Sequence, residues 1–325
     1  MEQFGSTRKL GWLRDLPDFR DYTIDQAETP TRVERAGKTA SIKDMLENVE
    51  SLDAPAAALP SIVDLRPWMS PVEDQGSIGS CTAQAGVGLV EYYVRRAFGR
   101  HVNRSRLFLY KATRNLLHWT GDTGAYLRTT MGALALFGVP PEEYCRYDIA
   151  SYDKEPGAFC YAFAQSFQSL QYFRHDPPGT APGALLDRIK ASLAAGLPSM
   201  FGFTVYNSIS QANETGAIPF PVRGESIDGG HGVVSAGYDD EKRIRNMNIG
   251  GITTKGALLI RNSWGTGWGE SGYGWLPYEY VMRGLAVDWW SILEQEWVET
   301  GQFGVAATMQ GMAEAQGLGA AAIWS

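Results

Sequence analysis

The sequence predicts an α+β protein with two lobes, and its pattern of elements carries that expectation. Helical apolar periods fill residues 63–180, and short β-rich runs divided by Gly and Asn turns follow from Pro198. The two kinds do not alternate as a parallel βαβ sheet would require. With 325 residues, 44% of them hydrophobic and 20% charged, the chain can bury a large apolar core. Three cysteines allow one bridge at most, so at least one thiol needs another reason to be present.

Three segments are expected: an N-terminal leader over 1–62, a main domain over 63–300 and a Gly/Ala-rich tail over 301–325. Gly11 to Tyr22 sets aromatics among charges with neither helical nor strand period, which suits an extended segment lying on another surface. Ser41 opens a short helix with Ile42, Met45, Leu46 and Val49 on one face and Asp44 completing a capping box. Ser51 to Pro60, rich in Ala and Pro, reads as a linker. Cys81 to Phe98 places Ala83, Val87, Val90, Val94 and Ala97 at spacings of three and four, with Gly99 as a stop. Ser105 caps a second helix to about Leu117, Ala125 to Phe137 makes a third ended by Gly138, and a fourth covers about Gly183–Ala195. Strands follow at Met200–Tyr206, Gly232–Tyr238, Ala257–Asn262 and Tyr273–Leu276.

Composition excludes several functions. A net charge of −7 without a basic cluster argues against nucleic acid as a partner. No apolar run is long enough to span a bilayer, and residues 1–10 lack the charged start and apolar core of a secretory signal. A monomer without membrane attachment, cytoplasmic or exported without a standard signal, is the expectation.

The strongest local signal is Gln75-Gly76-Ser77-Ile78-Gly79-Ser80-Cys81, a glycine-rich turn ending at a cysteine that begins a long helix. Backbone N–H groups and the macrodipole at a helix start favour a thiolate, which suits Cys81 to be a nucleophile. Of four histidines, His101, His118 and His175 lie in polar helix ends or loops and read as solvated. His231 opens the apolar run Gly232 to Tyr238, where a strand would hold its ring rigidly at a cleft edge. Asn262, at the end of the strand Leu258 to Arg261, could accept from that imidazole and fix its tautomer, with Trp264 shielding the bond.

Cysteine, histidine and asparagine in this order, within Gln-Gly-x-x-Gly-Ser-Cys and Asn-Ser-Trp-Gly-x-x-Trp-Gly-Glu-x-Gly-Tyr, resemble the papain-like cysteine peptidases from about Val63 to Val298, bacterial members most. The resemblance implies a two-lobed fold, a helical lobe with the nucleophile and a β-barrel-like lobe with His and Asn, with a cleft between them. It implies Cys81 as nucleophile, His231 as base then acid, Asn262 as the orienting residue, and Gln75 as a side-chain donor to the oxyanion beside the Cys81 N–H. His231 follows Cys81 by 150 residues, at the upper edge of the ~130–150 expected. Asn262 lies further on, and the excess is placed in an enlarged hairpin over Asp239–Lys255. Ile78 and Thr82 stand where the family commonly has Cys and Trp, removing a disulfide and changing the packing beside the nucleophile.

The same resemblance assigns Gly124 to backbone pairing with an extended peptide, Gly202 and Gly230 to the wall of a roomy side-chain pocket with no acidic residue evident, and Trp264 to the cleft. The substrate is then a peptide or protein, without cofactor or metal, since neither Cys145 nor Cys160 lies in a zinc-ligand cluster. Those two cysteines read either as one disulfide or as two buried thiols. The Trp12 to Tyr22 stretch is expected to cross the groove and autoinhibit, with Arg14, Asp15 or Asp18 near the catalytic pair. Two other readings stand beside peptide hydrolysis: an acyl transferase of transglutaminase type, and an inactive binding protein on this fold.

Overall fold

The computed structural model describes residues 8–29, 40–47, 49, 58–165, 171–300 and 302–303. Of the expected linker and tail, it therefore covers 58–60, Gln302 and Phe303. These last two lie on the second helix, where Arg96 Nε donates to the Gln302 carbonyl at 2.8 Å and the Phe303 ring centroid is 5.6 Å from that of Tyr93.

The helices are α1 (Ile42–Glu47), α2 (Cys81–Phe98), α3 (Arg106–Leu116), α4 (Leu127–Phe137), α5 (Ala158–Ala164), α6 (Pro182–Ala194), α7 (Tyr278–Met282) and α8 (Gln295–Val298). Local chemistry sets their ends. Ser41 and Asp44 form the reciprocal capping box at 3.0 and 3.1 Å, and Ser105 Oγ accepts the Phe108 N–H at 3.0 Å. Gly99, at φ 65°, closes α2 in the left-handed conformation that a Cβ disfavours. The third predicted helix starts two residues later than expected, at Leu127, because Ala125 is engaged in backbone pairing.

The strands are β1 (Ile62–Asp64), β2 (Gln171–Arg174), β3 (Met200–Tyr206), β4 (Ile227–Arg245), β5 (Thr253–Arg261), β6 (Tyr273–Pro277) and β7 (Ala286–Leu293). They form one antiparallel sheet in the order β2-β7-β3-β4-β5-β6, with β1 paired to β4. The expected hairpin over 239–255 is the far end of β4 and the start of β5, with Arg243 opposite Lys255. β1, β2 and β7 are additions to the predicted set. In β7 an extra residue enters between the pairs Met200–Trp290 and Gly202–Val287, and Asp288 takes φ 65° there. This bulge turns Asp288 away from the sheet's regular alternation.

One continuous apolar cluster joins the two lobes, with α2 packed against β4. Cys145 and Cys160 are both free thiols. His175, expected to be solvated, is fully buried: it follows β2, its Nε2 lies 2.9 Å from Ser291 Oγ on β7, and its ring sits 4.8 Å from Phe173. Burial pushes its pKa down to about 3. Unfolding returns the ring to an ordinary value near 6.5, so the neutral ring's contribution is complete above that pH and is lost as pH falls toward 3. Between pH 6.5 and 5 the wild type is expected to lose about 2 kcal/mol more stability than His175→Gln. Urea midpoints at the two pH values check this, and parallel losses would contradict it.

Candidate active site

Cys81 and Asn262 are placed by element ends, Gln75 by the turn ahead of α2 and His231 by the paired interior of β4. Cys81 is the first residue of α2, and the turn before it is pinned where Asp74 Oδ1 accepts the Gly76 N–H at 2.9 Å and Asp122 Oδ1 accepts the Gly79 N–H at 2.9 Å. Gln75 is buried just ahead of this turn. Its N–H donates to the Ser263 carbonyl at 2.9 Å, and its Oε1 accepts the Ser263 hydroxyl at 2.7 Å. The amide orientation is thereby fixed, and Nε2 has two acceptors, the Ile78 carbonyl at 2.9 Å and the Lys9 carbonyl at 3.0 Å.

His231 stands on β4 opposite Phe203 of β3, and Asn262 lies just past the end of β5. His231 Nε2 donates to Asn262 Oδ1 at 2.7 Å, and the same oxygen accepts the Ser263 N–H at 2.8 Å, which identifies it as the carbonyl oxygen. Trp264 covers this bond, its ring 4.7 Å from the imidazole at 27°. Nδ1 is left buried with no hydrogen-bond partner. The next residue, Gly232, directs its N–H at Cys81 Sγ over 3.4 Å, bringing strand and helix start together. The four residues of the expected machinery are thereby tied together where α2 meets the sheet: Cys81 to the neighbour of His231, His231 to Asn262, and Gln75 to Ser263 next to Asn262.

Both titrating groups are held neutral. Burial pushes the Cys81 thiol up, against the N–H groups of Gly232, Gly11 and Thr82 that favour the thiolate. Burial likewise pushes His231 down to about 4, against its bond to Asn262. The thiolate preference expected from the helix start is thus outweighed by desolvation.

Part of that burial comes from the N-terminal segment. Trp12 pairs in parallel with Ala125, which donates to the Gly11 carbonyl at 2.9 Å and accepts from Leu13 N–H at 3.1 Å, while Trp12 N–H donates to the Gly230 carbonyl at 3.1 Å. The two backbone bonds fall on Ala125. Its neighbour Gly124, at φ 74°, permits the approach, since a Cβ there would lie 2.3 Å from the Gly11 carbonyl. Gly202 and Gly230 give room to the Trp12 indole, which a Cβ on either would strike at 1.9 and 2.6 Å. Arg8 lies over the Trp264 ring at 5.6 Å, beside an open cleft of about 500 Å³ that Leu10, Asn207, Asp228 and Trp268 also line.

Two expectations about this segment are corrected. Arg14 is exposed, Asp15 reaches Arg128 and Asp18 binds Arg20, while Lys9 and Gly11 lie at Gln75 and Cys81. The Trp12 pocket does hold an acid: Trp12 Nε1 donates to buried Asp288 Oδ2 at 3.1 Å. A lone acid inside the apolar run Val287-Asp288-Trp289-Trp290 was the available signal.

This two-lobed fold, with a thiol at a helix start and an imidazole on the facing sheet, defines the class of cysteine-type peptidases. The model of the papain family cysteine protease matches residues 59–286, and the chain belongs to that family. It is 30% identical over 299 residues to an uncharacterized peptidase C1-like protein of Acanthamoeba polyphaga mimivirus, covering 89% of this chain and 88% of that one. With papain of Carica papaya it shares 28% identity over 273 residues, covering 81% and 67%. With cathepsin K of Gallus gallus it shares 27% over 223 residues, covering 66% of this chain and 58% of that one. Among solved structures, xylellain, a cysteine protease from Xylella fastidiosa, superposes with a TM-score of 0.66 at 32% identity, covering 89% and 97%. The protein is accordingly a hydrolase of peptide bonds.

Proposed function

We propose that this peptidase works through Cys81, His231, Asn262 and Gln75, and that its N-terminal segment holds it inactive. The Cys81 sulfur attacks the scissile carbonyl while His231 Nδ1 takes the thiol proton. Negative charge on the carbonyl oxygen is met by Gln75 Nε2 and the Cys81 N–H, donors already in place before the charge forms. His231 then protonates the leaving amine, and a thioester remains on Cys81. Water, deprotonated by His231, resolves it to acid and free thiol. Asn262 keeps Nε2–H engaged, so Nδ1 is the nitrogen that takes and returns the proton in each half of the cycle.

The observation that carries this reading is the occupancy of Gln75. Its Nε2 donates to a main-chain carbonyl, that of Lys9, while the Gly11 N–H faces Cys81 Sγ. The segment thus offers a peptide carbonyl to the donor assigned to the oxyanion, and it excludes substrate from the thiol. Gly124, Gly202, Gly230 and Trp264 line the substrate cleft when the segment is away. A thiol-directed peptide epoxide tests the assignment: one equivalent should be incorporated at long times by the wild type and none by Cys81→Ala. Labelling that survives Cys81→Ala would remove the role from this residue.

A further inference from the structure

The N-terminal segment is held at a second place, well along the chain from Cys81. Arg128 stands in the first turn of α4, where a cation opposes the helix macrodipole and so does not serve the helix. Its Nε and Nη2 donate to the Asp21 carboxylate at 2.7 and 2.9 Å, Nη2 also donates to the Leu16 carbonyl at 2.7 Å, and Nη1 pairs with Asp15. Asp21 is almost fully buried by this embrace and also lies 3.4 Å from Arg174. Both guanidinium groups sit over the Trp290 ring, at 5.8 and 5.2 Å.

The two arginines differ in what remains when the segment leaves. Arg174 keeps Asp176 at 2.9 Å and Asp288 at 3.3 Å, so its charge stays matched within the main domain. Arg128 keeps no other carboxylate or carbonyl acceptor among the described residues, and its side chain is already 26% exposed. A planar guanidinium resting on an indole and freed of its acid is pre-organised for bidentate carboxylate binding. The site begins beside the Trp12 pocket, because Asp288 binds both the Trp12 indole and Arg174.

We propose that Arg128, backed by Arg174 and Trp290, is a carboxylate-binding subsite of the cleft, filled by Asp15 and Asp21 in the closed protein and by acidic side chains of peptide substrates in the open one. It lies beyond the Trp12 pocket, so the selected peptides carry an aromatic side chain for that pocket and acids a few residues further along the surface. The word substrate here rests on the peptidase reading above; the carboxylate site itself does not.

The test uses the full-length chain carrying Gly11→Ala to lift residues 8–13, Asp15→Asn and Asp21→Asn to empty the arginine site of its own acids, and Cys81→Ala to prevent turnover. Two fluorescent peptides are compared: residues 12–23 as they stand, and the same peptide with Asn in place of Asp15 and Asp21. The acidic peptide should bind at least about tenfold more tightly, since hydrogen bonds to a charged partner are the strong ones. Arg128→Gln should remove most of that advantage; both peptides lose the bond to the Leu16 carbonyl alike, so the difference between them reports the carboxylates, and an unchanged circular dichroism spectrum reports that the variant is folded. Arg128→Lys should restore part of it, because Lys keeps the charge and loses the fork. Equal binding of the two peptides, a preference that survives Arg128→Gln, or no binding by either peptide would overturn the proposal. Failure of Cys81 to react with the epoxide would defeat the peptidase assignment and leave this binding result untouched.

Discussion

Alanine in place of Gly11, in the full-length chain, is expected to raise peptide hydrolysis by at least about tenfold. A Cβ at this position would lie 1.9 Å from the carbonyl oxygen of Gly79, which belongs to the pinned turn ahead of Cys81. The turn cannot move aside, because Asp122 holds the Gly79 N–H. The segment cannot slide either, since Ala125 grips the Gly11 carbonyl and Gly124 is in close approach on the other side. The clash is therefore relieved by lifting residues 8–13 from the cleft. Trp12 then leaves a pocket in which it is 6% exposed, and Gln75 loses its bond to Lys9. Return of His231 and Cys81 to water lifts the desolvation that holds both neutral, so the charged forms of thiol and imidazole cost less. Peptide turnover and protease sensitivity of the segment should rise together. Arg14→Ala, at an exposed site two or three residues away, serves as the control and should change neither. Unaltered turnover in Gly11→Ala would count against autoinhibition by this contact.

His231→Ala should cost at least about 10⁴ in kcat/KM, measured in the Gly11→Ala background so that the segment does not mask the loss. Without the imidazole, Cys81 has no acceptor for its proton and the leaving amine no donor, so both halves of the cycle fail. Asn262→Ala should cost less, because it frees the ring's tautomer and orientation without removing the base. A His231→Ala loss no greater than that of Asn262→Ala would place the base elsewhere. The burst of first product before steady turnover should vanish in the same variant, since acylation becomes the slow step.

Much of this was legible in the sequence because local chemistry wrote it there. Ser41, Ser105 and Gly99 mark helix ends by caps that need no tertiary context, and Gln75, Cys81, His231 and Asn262 stand in short motifs. What escaped depends on contacts between distant segments. β7 carries pairs of apolar residues before, between and after Asp288 and Ser291 without strand alternation, because its bulge re-aims Asp288 into the Trp12 pocket. His175 looked solvated beside Asp176-Pro177-Pro178, yet Asp176 turns inward to accept the N–H groups of Asp288 and Trp289 at 2.8 and 3.0 Å, and the ring follows it into the core. The segment expected to cross the groove is Trp12 to Tyr22, whereas it is Lys9, Gly11 and Trp12 that meet Gln75, Cys81 and Gly230. Its charges suggested contact with the catalytic pair, but Asp15 and Asp21 are drawn to Arg128, leaving the uncharged backbone at Gly11 to meet the thiol. Charge pattern alone does not report which arginine a carboxylate will find.

The central claim, that residues 8–13 lie across Gln75 and Cys81 and silence a competent site, is tested most directly by the rate of epoxide labelling mapped to individual cysteines. In the wild type Cys81 should react slowly, in Gly11→Ala at least about tenfold faster, with Cys145 and Cys160 unlabelled in both. Equal rates at Cys81 in the two proteins, or label on Cys145 or Cys160 in its place, would contradict it.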